Sequence, residues 1–136
     1  MGWGFKGNAS HYHKISENTE ALKNEYPFSD GYFGEKGDSK SNPHVRHIAS
    51  DDPAKTAKAF YDSATYGGLE SPLFDKNGNI IGQKTSMADG SVISWRSASH
   101  SDGSPAVDIN IERSTDSGGI KQQKIHFVKE GGYETD

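Results

Sequence analysis

The sequence predicts an α+β domain in which N-terminal helices pack on a four- to five-stranded antiparallel sheet. Three observations carry this expectation. The stretch "DDPAKTAKAFYDSATYGG" (51–68) has the caps and the apolar stripe of a helix. From Pro72 onward the apolar residues recur with a period of two. Turn signals punctuate that second half: Asn77-Gly78, Ala88-Asp89-Gly90, Ser101 to Ser104 and Asp116 to Gly119.

Residues 1–14 are rich in glycine and aromatics and have no clear period. A short helix is expected from Ser16 as N-cap through Tyr26, stopped by Pro27. Residues 27–43 read as a loop dense in turn residues, and "HVRHIAS" as a short extended segment. In the second helix Asp51 or Asp52 caps, Pro53 takes the first helical position, and Gly67-Gly68 ends the run. Ala57, Phe60, Tyr61 and Ala64 form its apolar face. "SPLFD" and "NIIGQKTS" flank Asn77-Gly78 as a hairpin, and "SVISWRSAS", "PAVDINIERS" and "IKQQKIHFVKE" complete a meander. The whole reads as a single domain over 1–136, with a loop-rich part at 1–43 and a core at 44–130.

Composition narrows the classes of function. The chain has 136 residues and a formal charge of −4, from 15 basic and 19 acidic residues. That balance does not by itself predict non-specific nucleic-acid binding, so any polyanion site must be a local patch. Leu, Ile, Val and Phe make up about 16% of the chain, below the usual globular share, which implies a small core with long polar loops. There is no cysteine, which fits a reducing workplace or a chain that must unfold in transit. No apolar run approaches transmembrane length, and no signal-peptide core stands at the N-terminus.

The strands carry their information on the face opposite the core. Ile93 and Trp95 alternate with Ser94 and Arg96. Val107, Ile109 and Ile111 alternate with Asp108, Asn110 and Glu112, and Ile125 and Phe127 alternate with Lys124 and His126. Arg96, Asp108, Asn110, Lys124 and His126 should therefore share one surface, with Thr85 and the Asp102–Ser104 turn near its rim. Such a set suits phosphodiester cleavage by an internal nucleophile, which needs a proton acceptor, a proton donor and cations but no metal. The plainer account is a solvated sheet face, on which charges and a histidine are common.

The remaining histidines are less informative. His11 and His13 stand two apart, but no third ligand follows at metal spacing. His44, Arg46 and His47 could be a polar entry to the second helix, or Arg46 or His47 could bring a second catalytic or phosphate-binding group. The aromatic loop Tyr26, Phe28, Tyr32 and Phe33 suits a satellite core, or a contact for a partner protein, better than base stacking. Neither a phosphate loop nor a Gly-x-Ser-x-Gly elbow occurs.

The order of "VRHIASDDPAKTAKAFYDSATYGG", "TSMADGSVISWRSASHSDGSPAVDINI" and "IKQQKIHFVK" resembles the C-terminal nuclease domains of bacterial polymorphic toxins, those of contact-dependent growth inhibition among them. The resemblance runs from about Val45 to Lys129. It implies a fold similar to the barnase, EndoU, colicin and RelE group. It also implies an endoribonuclease, delivered into competing cells as part of a larger secreted or surface protein; the residue set above needs neither cofactor nor metal for that reaction. Its target there would be tRNA or other RNA in the cytoplasm, and a cognate immunity protein would neutralise it. Separately, the charge of −4 implies weak electrostatic capture and so suggests a carrier already holding tRNA, such as a translation elongation factor. No membrane anchor is expected. The matching positions are Arg46, His47, Thr85, Arg96, Asp102, Ser104, Asp108, Lys124 and His126.

On this basis His126 is the leading general base or acid, with His47 or Arg46 in the complementary role. Asp102 or Asp108 would orient a histidine or a ribose hydroxyl. Lys124 and Arg96 would hold the scissile phosphate, with Ser104 and Asp108 as further substrate contacts and Thr85 at the catalytic rim. A metal-dependent DNase of the same delivery class and a non-enzymatic binding module are the alternatives.

Overall fold

A computed structural model describes residues 15–36, 44–88, 90–97, 103–111 and 119–129. The first described element is a 3-10 turn, Ile15–Asn18, that runs into helix α1, Thr19–Glu25. Three two-residue strands follow: β1, Phe28–Ser29; β2, Tyr32–Phe33; and β3, Glu35–Lys36. Strand β4, Val45–Ser50, leads into helix α2, Pro53–Ala64. The remaining strands are β5, Leu69–Phe74; β6, Ile80–Ser86; β7, Val92–Arg96; β8, Ala106–Asn110; and β9, Gln123–Lys129.

The α+β class is as expected, with α1 and α2 beside a mostly antiparallel sheet, but the sheet is larger than expected. It has seven strands in the order β3-β4-β9-β8-β7-β6-β5, and β1 pairs with β2 as a separate ribbon. The added strands come from the part that reads as loop and short extended segment. β4 pairs parallel with β9, His47 standing opposite His126 and Ile48 opposite Phe127, and β3 pairs antiparallel with β4. The antiparallel meander β5 to β9 is otherwise the expected one.

Helix α2 forms where the sequence places it. The Asp52 carboxylate accepts from the Lys55 N–H at 3.3 Å, Pro53 occupies the first turn, and Ala57, Phe60, Tyr61 and Ala64 are buried. Phe60 is the hub, with ring centroids 4.9 Å from Tyr26, 5.1 Å from Phe33 and 5.7 Å from Phe127. The first helix departs from expectation. Asn18, not Ser16, stands at the cap of α1, and its side-chain amide makes no cap bond. That amide instead donates to the carbonyls of Ala64 at 2.9 Å and Tyr66 at 3.1 Å, satisfying the end of α2.

The Asn77-Gly78 hairpin forms as read, with Gly78 at φ +86°. The Asp75 carboxylate accepts from the N–H groups of Asn77 at 2.8 Å and Asn79 at 2.9 Å. The bond from Asn79 does most to hold that carboxyl below its ordinary range. The tip stands clear of the core, with Phe74 and Ile80 exposed. Pro72 lies on β5, the edge strand, where a missing donor is tolerated. Among the described residues no helix is long and apolar enough to cross a membrane.

Tyr61 crosses from α2 to the sheet, its hydroxyl bonded to Thr85 at 2.5 Å inside the core. Burial drives its phenol pKa strongly upward, partly offset by the Thr85 bond. Burial, aided by Glu25, also pushes Tyr26 up to about 12. A raised folded-state value means the stability is complete below the ordinary tyrosine range near 10 and is lost as pH climbs through the folded value. Unfolding free energy should therefore fall as pH rises past about 10. Tyr61→Phe should cost about 1–2 kcal/mol at neutral pH through the lost buried bond and should flatten the alkaline fall. Urea denaturation of both proteins at pH 8 and pH 10.5 checks both.

Candidate active site

The sheet face turned away from α2 is organised in rows, because directly paired residues share a face. One row crosses six strands: Glu35, His47, His126, Ala106, Arg96 and Gly82. The next row holds Val45, Lys124, Asp108, Ser94 and Lys84. Rows are about 7 Å apart and strands about 4.8 Å apart, so the two rows form one chemical neighbourhood.

The parallel β4–β9 pair brings two imidazoles together. The His47 and His126 ring centroids are 5.7 Å apart and nearly perpendicular, at 89°. The Nδ1 atom of His126 lies 3.0 Å from the Ser104 hydroxyl. The segment carrying Ser104 is held down by the Phe127 N–H, which donates to the Pro105 carbonyl at 2.9 Å. His126 is 4% exposed, while His47 is half-buried. The face expected to be solvated is thus covered at its leading histidine, and approach to the pair is from the His47 side.

Arg96 stands two strands beyond His126, with only the Ala106 methyl between them in the row. Its Nε is buried and has no hydrogen-bond partner among the described residues, while the side chain as a whole is half-buried. A donor left in this way can donate to an incoming anion's oxygen. In the second row Lys124 and Asp108 are directly opposed. Yet among the described residues the ion pair is Lys58–Asp62, at 2.8 Å on α2, and Lys124 and Asp108 form none. Beside them opens a recess of about 430 Å³ lined by His44, Ser94, Asp108, Asn110, Gln122 and Lys124, among others. The His44 Nδ1 donates to the Gln122 carbonyl at 3.0 Å and lies 3.2 Å from the Tyr32 hydroxyl.

Not every residue singled out in the sequence joins this neighbourhood. Arg46 faces the core side with Ile125. Its guanidinium donates to the carbonyls of Phe33 at 3.1 Å and Gly34 at 2.9 Å and lies 5.0 Å over the Tyr32 ring. Thr85 also faces the core, opposite Ile93 and bonded to Tyr61. Asp102, His11 and His13 lie outside the described residues. Of the aromatic loop, Tyr26 and Phe33 are core, Phe28 is half-buried and packs against Phe33 with centroids 4.7 Å apart, and Tyr32 is half-buried.

Sequence reasoning missed Gln123 and Gln122. Gln123 is a buried staple: its carbonyl accepts from the Phe33 N–H at 2.8 Å, and its amide donates to Gly31 at 3.0 Å and Lys121 at 2.7 Å. Gln122 shares the parity of Lys124 and His126, which is the signal that finds it. Among the described residues no three His, Asp or Glu side chains gather as a metal site. No family model, curated protein or solved structure matches this chain.

The aromatic loop reaches β4 at Gly34, which has φ +69° and lies so close that a Cβ would overlap the His47 carbonyl. Gly34→Ala should therefore cost roughly 1–3 kcal/mol and shift the His47 ring resonances. Urea midpoints and histidine NMR spectra measure the two effects.

Proposed function

We propose that this protein is a metal-independent endoribonuclease toxin. The reading rests on one observation: His47, His126 and Arg96, whose buried Nε has no partner among the described residues, stand in a single row on one sheet face. Two imidazoles side by side can divide the proton work, one accepting and the other donating. One histidine takes the ribose 2′-OH proton, and the 2′-oxygen attacks the adjacent phosphorus. The bond from phosphorus to the 5′-oxygen breaks, and that oxygen takes its proton from the other histidine. The products are a 2′,3′-cyclic phosphate and a 5′-hydroxyl. Arg96 and Lys124 balance the charge that builds on the phosphate. Ser104 holds Nδ1 of His126, so the Nε2 edge exchanges the proton with substrate.

The order of motifs supports the wider setting: a domain of the barnase, EndoU, colicin and RelE kind, delivered into competing bacteria as part of a larger protein. In this reading it acts on tRNA in the target-cell cytoplasm, and an immunity protein restrains it. The modest charge of −4 favours capture of tRNA through a translation elongation factor over capture from solution.

Total bacterial RNA incubated with the protein in EDTA should yield discrete tRNA fragments ending in 2′,3′-cyclic phosphate. His47→Ala and His126→Gln should each slow cleavage by about 10²- to 10⁴-fold. Either variant should also turn a rate that rises and falls with pH into one with a single limb. Undiminished cleavage by a variant that melts like the parent overturns the mechanism. Loss of cleavage in EDTA overturns its metal independence.

A further inference from the structure

We infer that the recess beside Lys124 and Asp108 is a guanine-reading subsite for the nucleoside whose 2′-oxygen attacks. The inference rests on the ribonuclease reading above and adds the base that the site selects. The recess lies on the same sheet face as the histidine pair, one row away. That step of about 7 Å is the reach of one nucleoside from its 3′-phosphate to its base. With the phosphate at His47, His126 and Arg96, the base falls on the floor formed by Ser94, Asp108 and Asn110.

The floor has the polarity of one base in particular. The Asp108 carboxylate is an acceptor with two oxygens side by side, and among the described residues it forms no ion pair even with Lys124 directly across. Asn110, two residues on and on the same face, brings an amide donor. Guanine is the base whose pairing edge sets two adjacent donors, N1–H and the 2-amino group, beside an acceptor, O6. Asp108 takes the two donors and the Asn110 amide donates to O6. Adenine and cytosine would turn ring nitrogens toward the carboxylate, and uracil offers it a single donor between two repelling oxygens. A half-buried carboxylate left without its two donors is what gives such discrimination. His44, whose ring is in edge contact with Tyr32 at 5.8 Å, lines the recess beside Gln122.

The test is calorimetric titration of the protein with the four nucleoside 3′-monophosphates and with 5′-GMP. The expected result is roughly tenfold or tighter binding of 3′-GMP than of the other three. That preference should be lost in Asp108→Asn and weakened in Asn110→Ala, an exposed position whose change leaves the core intact. Equal binding of all four bases overturns the inference, as does an Asp108→Asn protein that keeps the parent's preference. Tighter binding of 5′-GMP than 3′-GMP overturns it in favour of a free-nucleotide site. The two readings fail separately. RNA cleavage that needs His126 but shows no base preference sinks the subsite alone. Selective 3′-GMP binding without RNA cleavage sinks the ribonuclease reading and leaves a guanine-binding recess with no attacking nucleoside.

Discussion

The parallel pairing of β4 with β9 is the constraint on which the rest of the site depends. Without it the sheet would end at β9, and His126 would stand at an edge with no second imidazole. With it, β9 becomes an interior strand, paired to β8 on one side and β4 on the other. A slip of one residue would turn every side chain of β4 to the other face. Two features resist that slip. Ile48 is buried on the core side opposite Phe127, and Arg46 on that same side grips the carbonyls of Phe33 and Gly34. The His47–His126 geometry is thus fixed by packing on the far face of the sheet.

The aromatic loop reinforces this from outside the sheet. Phe33 sits between Phe60 and the start of β4, and Gln123 ties the Phe33 N–H to the first residue of β9. One buried amide therefore spans the loop and the last strand, which are far apart in sequence. Arg46 and Gln123 together satisfy loop backbone groups that would otherwise be buried unpaired. The polar residues on the core side act as fasteners, while on the other side Lys124 and Asp108 form no ion pair among the described residues.

How much of this could be read in the sequence follows from which signals are local. α2 was legible because Asp52, Pro53 and its apolar stripe lie within one segment. Strands β7, β8 and β9 were legible because each alternates cleanly. β3 has two residues, Glu35 and Lys36, and no pattern at all. β4 has Val45, Ile48 and Ala49, which do not alternate, and its partner lies across the whole fold. Thr85 was misplaced toward the polar rim for a related reason. β6 begins with Ile80-Ile81-Gly82, which fits either face, so parity does not fix where Thr85 points. Only the register against Ile93 does so. The histidine pair needed a long-range contact to be seen, whereas the Lys124, His126 and Asp108 face needed only the period of two.

A protein of net charge −4 that handles a polyanion must rely on local rather than global potential. The geometry permits this. Lys84, Lys124 and Arg96 lie in two adjacent rows of one face, while the Lys58–Asp62 pair sits on α2 behind the sheet. Beyond a Debye length of about 8–10 Å the cations are screened, so they contribute little to long-range steering. At contact the balance changes, because the Arg96 Nε is buried and His126 is almost wholly covered. There the dielectric is low and each charge–phosphate bond strengthens. On the proposed reading the site spends its electrostatics on the bound phosphate rather than on encounter. Such a design gains most from a carrier that delivers the RNA already positioned.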